Sequence, residues 1–104
     1  MQRVAFKMKL KPGYEEEYKK RHDEVWPGII EELKQAGVSD YSIFLDEETL
    51  ILFAVQKLTD DNTADELPEK EAVKKWWTYM KDIMETNPDN SPVATPLKEV
   101  FHLD

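Results

Sequence analysis

A chain of 104 residues has room for one modest hydrophobic core, so a single domain spanning 1–104 is expected. Fourteen basic against 22 acidic residues leave a net charge of −8, the wrong sign for holding phosphate backbones or anionic lipid, so neither nucleic acid nor membrane is an expected partner. The same acidic balance makes a neutral small molecule the better expectation, and the absence of cysteine removes disulfides, thiol nucleophiles and thiolate metal ligands.

The alternation of a strand begins at once in Met1-Gln2-Arg3-Val4-Ala5-Phe6, where a secretory leader would show a charged and then an apolar stretch. No apolar run approaches the roughly 20 residues of a membrane helix, and a cytoplasmic location is expected. Val4, Phe6, Met8 and Leu10 share one side of this first strand, with mostly basic residues opposite. After the breaker Pro12-Gly13, apolar residues recur at helical spacing from Tyr14 to Leu33, ending at Gly37 as a C′ glycine. Pro27 lies inside this stretch and forces a kink or break near Trp26, giving two helical segments with one apolar face.

Tyr41–Leu45 and Leu50–Gln56 read as a hairpin joined by Asp46-Glu47-Glu48-Thr49. The second of these strands is apolar at six consecutive positions, Leu50 to Val55, as a strand buried on both faces is. Two helices cover one face of a small sheet, so a partner subunit is expected over the other. Residues 59–72 are polar and acidic and read as a loop. A further helix from about Glu69 carries Val73, Trp76, Trp77, Met80, Ile83 and Met84 on one wide stripe. The turn-rich Asn87-Pro88-Asp89-Asn90-Ser91-Pro92 follows, and a last strand, Leu97–Leu103, completes the order β-α-β-β-α-β. That order is the ferredoxin-like α+β arrangement.

His22 is the first candidate for chemistry. It sits one helical turn after Tyr18 and one before Trp26, and an imidazole both gives and takes protons near neutral pH. The same spacing fits a histidine on an exposed helix edge, since Arg21 and Asp23 flank it. Trp76 and Trp77 point about 100° apart on a helix, so one can pack in the core while the other lines a cavity. Indole faces suit the C–H faces of a sugar and indole N–H donates to hydroxyls, although both rings also fit a purely structural stripe. Tyr41 opens a strand where a phenol can reach a ligand hydroxyl. The two histidines, His22 and His102, form no spaced motif with carboxylates, and Gly13, Gly28 and Gly37 build no phosphate loop, so neither a metal nor a nucleotide cofactor is expected. The acidic runs read as solvated faces.

Taken together, Tyr18-Lys19-Lys20-Arg21-His22-Asp23-Glu24-Val25-Trp26-Pro27, Tyr41-Ser42-Ile43-Phe44-Leu45-Asp46 and Lys75-Trp76-Trp77-Thr78-Tyr79-Met80 resemble the L-rhamnose mutarotase family. The loop from Asn87 to Pro92 and the ending Glu99-Val100-Phe101 extend the resemblance over the whole chain; it is weakest over 59–72 and at His102, where an aromatic residue is expected. The resemblance implies interconversion of the α and β anomers of L-rhamnose without metal or organic cofactor, by a homodimeric α+β barrel. It also implies His22 as proton donor and Tyr18, Tyr41, Trp76 and Trp77 as sugar contacts. Two other readings fit the residues: a dimeric α+β barrel monooxygenase, and a non-catalytic sugar-binding module in which His22 only hydrogen-bonds its ligand.

Overall fold

A computed structural model describes residues 1–104. The elements are β1 (Gln2–Lys9), α1 (Glu15–Asp23), α2 (Pro27–Gln35), β2 (Val38–Asp46), β3 (Ile51–Leu58), a 3-10 helix (Ala64–Glu69), α3 (Glu71–Met80) and β4 (Thr95–Leu97). The four strands form one antiparallel sheet in the order β2-β3-β1-β4, which is the ferredoxin-like topology expected from the chain order.

The register sorts the side chains into two layers. Met8 pairs with Leu52 and Phe6 with Ala54, and these four residues lie in or against the main core with Ile29, Val73, Trp76 and Met80 of the helices. Because strand side chains alternate, Lys7, Phe53, Val55 and Ala5 point to the opposite face, which carries no helix. Phe44 pairs with Phe53 and Leu97 with Ala5 on that same face. The unbroken apolar run of β3 therefore serves a helix-covered layer and an open one.

The expected helix break falls at Trp26, whose φ of −63° and ψ of 136° are the extended angles a following proline imposes, and Pro27 becomes the first residue of α2. Gly37 takes φ +89° just past the α2 C-cap, in the role expected of it. A Cβ there would collide with the Thr59 hydroxyl, so glycine is required both by the backbone angle and by the chain that crosses it.

Three expectations are corrected. The last strand lies at Thr95–Leu97, against Lys7–Ala5 of β1, and Lys98–Asp104 form no strand; Val100, Phe101 and Leu103 stand exposed. Pairing partners, not local alternation, decide where an edge strand sits, and the edge of β1 is also used by residues 83–85, through the Leu10–Met84 bridge. The helix begun near Glu69 ends at Met80; Ile83 and Met84 follow in a turn yet are among the most buried residues. A turn that continues along the same core keeps helical spacing without helical hydrogen bonds. Finally, the supposed loop at 59–72 contains the 3-10 helix, with Pro68 inside it.

Candidate functional site

Helix α1 is polar, and Tyr18 is its only buried residue. One turn on, His22 projects from the same face, and its ring lies nearly parallel to that of Tyr18 with centroids 4.3 Å apart. His22 Nδ1 is 3.1 Å from the Tyr18 carbonyl oxygen. A carbonyl can only accept, so Nδ1 carries the proton and Nε2 of the neutral ring presents a lone pair. Burial pushes the His22 pKa below its ordinary value, against the opposing pull of the Tyr18 carbonyl and Asp23, which favours the neutral form at pH 7.

Trp76 of α3 closes one side of this pair, meeting His22 edge to face at 5.5 Å. Trp26, from the break between the helices, meets Trp76 edge to face at 5.0 Å and stacks on Tyr79 at 5.3 Å. Tyr18, His22 and Trp26 were expected to adjoin as successive turns of one helix. The break instead moves Trp26 away, and it reaches the group through Trp76. Trp77 is half-buried against the same core and makes no ring contact with the cluster.

Tyr41 reaches the site by alternation along β2, sharing a side with Ile43 and Leu45, which pack against the main core. Ser39 pairs with Lys57 and Ser42 with Val55, so Asp40 and Tyr41 together stand against Gln56 alone. Asp40 absorbs the extra residue at φ +46°. The shift lets Val38, buried against Leu33 and Leu67, face the helices as well, while Tyr41 acts electrostatically on Tyr18. More than a third of Tyr41 remains in contact with solvent, yet burial of its hydroxyl end raises its pKa to about 12. Burial, with the added repulsion of Tyr41, likewise pushes Tyr18 up. Both phenols keep their protons at neutral pH, able to donate to and accept from a ligand hydroxyl.

The structure thus brings Tyr18, His22, Tyr41 and Trp76 together and leaves Trp77 beside them. It adds Tyr79, which the sequence showed only as a residue one turn beyond Trp76. It also adds Arg21, whose guanidinium lies 4.3 Å over the Tyr79 ring and is hydrogen-bonded to Glu17, Asp82 and the Tyr79 carbonyl. In the sequence Arg21 stood out only as a charged neighbour of His22 on a helix edge. The hydrogen bond from Arg21 holds the Asp82 carboxyl below its usual range. His102 lies elsewhere, near Arg3 and Asp104. A depression on α1 between Glu16, Lys19, Lys20, Asp23 and Glu24 is lined by charged residues alone and contains none of the aromatic cluster.

Fold and cluster together define the class: a ferredoxin-like α+β domain that carries a titratable imidazole among aromatic rings on its helix-covered side. The model of the L-rhamnose mutarotase family matches residues 3–103, and the chain belongs to that family. It is 60% identical over 104 residues to an L-rhamnose mutarotase of Bacteroides thetaiotaomicron, covering 100% of both chains. An L-rhamnose mutarotase of Mesorhizobium japonicum is 60% identical over 102 residues, covering 98% of this chain and 97% of the relative. The crystal structure of L-rhamnose mutarotase from Formosa agariphila superposes with a TM-score of 0.93 at 55% identity, with both chains fully covered. A conserved protein of Methanosarcina mazei shares the fold, with a TM-score of 0.62 at 19% identity over 93% of this chain and 90% of the other.

Proposed function

We propose that this protein is an isomerase that interconverts the α and β anomers of L-rhamnose, with His22 moving the proton. The observation that carries the reading is the His22 ring held between Tyr18 and Trp76 in a chain matching mutarotases from end to end. Exchange of anomers requires the anomeric hydroxyl to lose a proton and the ring oxygen to gain one. The ring then opens to the aldehyde, which rotates and recloses on its other face. Both oxygens are bonded to the same carbon, so one nitrogen can serve both. Neutral His22 accepts the hydroxyl proton at Nε2, and the resulting imidazolium donates it to the ring oxygen. Nδ1 stays bonded to the Tyr18 carbonyl throughout and fixes the ring. Reclosure reverses the two transfers, and no net proton is consumed.

Tyr18 and Tyr41 supply hydroxyl partners, and Trp76 and Trp77 supply apolar faces for the sugar's C–H side. This chemistry calls on no cofactor. The reading also includes a homodimer, in which a second copy covers the open sheet face formed by Ala5, Phe44, Phe53, Val55 and Leu97. A cytoplasmic location suits an enzyme of sugar catabolism, and no helix is long and apolar enough to cross a membrane. End-to-end identity with mutarotases favours this reading over a monooxygenase. NMR saturation transfer between the two anomeric protons of L-rhamnose tests it against the binding module. Exchange accelerated by the protein is expected; saturable binding without acceleration would establish the module instead.

A further inference from the structure

Helix α1 carries the imidazole but has little to hold it in place. Its backbone makes no extensive close approach to any other element, and it buries one residue, Tyr18. Its other large attachment is Arg21, on the helix face next to His22. The Arg21 side chain is only 11% exposed, and it crosses from α1 to the end of α3. Nε donates to Glu17 at 2.7 Å, within α1. Across the gap, Nη1 donates to Asp82 Oδ1 at 2.9 Å and to the Tyr79 carbonyl at 2.8 Å, and Nη2 donates to Asp82 Oδ2 at 3.2 Å. The guanidinium plane also covers the Tyr79 ring, which stacks on Trp26, which in turn meets Trp76.

We infer that Arg21 is a positioning residue for anomer exchange: by locking α1 to the C-terminal turn of α3 it sets the distance and angle at which His22 faces Trp76. The inference rests on the mutarotase reading for its kinetic consequence, but its geometric content does not. Two properties make arginine suited to the task. The planar fork serves both carboxylate oxygens of Asp82 while a further N–H reaches a backbone carbonyl, and the same plane lies flat on an aromatic ring. A lysine keeps the charge and loses both. Fixing the azimuth of α1 matters because a misplacement of about 1 Å in a proton-transfer group can cost roughly 10²-fold in rate.

The test compares Arg21→Lys and Asp82→Asn with Lys19→Met, which breaks the exposed Lys19–Asp23 pair on the same helix without touching α3. For each, kcat and KM for L-rhamnose exchange are measured with the thermal midpoint. The nuclear Overhauser contact between His22 ring protons and Trp76 indole protons is measured as well. Arg21→Lys is expected to lower kcat by about tenfold or more with KM changed less than about threefold, and to weaken the His22–Trp76 contact. Asp82→Asn does the same more mildly, and Lys19→Met changes neither. Should Arg21→Lys fail to fold, Asp82→Asn, at an exposed carboxylate, decides the matter alone. A lowered thermal midpoint with unchanged kcat and an unchanged His22–Trp76 contact would assign Arg21 to stability only and overturn the inference. If the unaltered protein does not accelerate exchange, the mutarotase reading fails, while the His22–Trp76 contact in the variants still decides whether Arg21 positions α1.

Discussion

His22 meets the face-and-edge arrangement of Trp76 with ring centroids 5.5 Å apart and planes at 87°, although 54 positions separate them in the chain. The contact joins the imidazole of the cluster to the helix that supplies its aromatic wall. His22→Ala is therefore expected to lower catalysed anomer exchange by about 10²–10⁴-fold while far-UV circular dichroism stays unchanged. Exchange at the unaltered rate, measured by saturation transfer at equal protein concentration, would remove His22 from the mechanism.

The pH dependence follows from the same residue. Because burial lowers its pKa, the neutral, proton-accepting form predominates at pH 7. Activity should be level above neutrality and fall as pH drops below 6.5 through the depressed pKa. Stability moves in the same direction: below 6.5 the unfolded chain takes up a proton at His22 that the folded chain resists. The stabilisation contributed at neutral pH is thus lost as pH falls through the folded pKa. Thermal midpoints between pH 7 and pH 5 should fall less in His22→Gln than in the unaltered protein; equal slopes would contradict the burial assigned to this ring.

The two tryptophans should separate by stability. Trp76 lies in the main core at 9% exposure, so Trp76→Ala is expected to destabilise the fold by about 3–5 kcal/mol as well as reduce activity. Trp77 is half-buried, and Trp77→Ala should raise KM with a smaller loss of stability. Urea denaturation alongside kinetics on each variant distinguishes the two roles.

Gly37→Ala should destabilise without touching the site. An alanine at φ +89° costs about 1–2 kcal/mol from backbone angle alone, and its methyl group collides with the Thr59 hydroxyl. A smaller loss on denaturation would mean that the 59–63 segment moves aside easily.

The open sheet face predicts its own variant. Phe44 is 64% exposed in the single chain, so Phe44→Asp should leave the fold of one protomer intact and weaken the homodimer. Light scattering at micromolar concentration should show a dimer for the unaltered protein and a lighter species for the variant; a monomer in both cases would end the dimer proposal.

Much of this architecture was legible in the chain. Alternation marks β1, a proline after Trp26 marks the helix break, and a glycine at position 37 marks the end of α2, because each is a local constraint on backbone angles. Residues Tyr18, His22, Tyr41 and Trp76 were singled out by residue type and by resemblance, both of which reside in the sequence itself. What only the tertiary structure decided is what depends on a distant partner. The last strand sits where the edge of β1 receives it, two residues before the point where local alternation placed its start. Val38 and Tyr41 both face the helices because two residues on β2 oppose one on β3, which no reading of β2 alone can reveal. Arg21 and Tyr79 join the site because α1 and the end of α3 meet in space. Local propensity is written residue by residue, whereas register and side-chain contact arise only when segments far apart in sequence compete for the same partners.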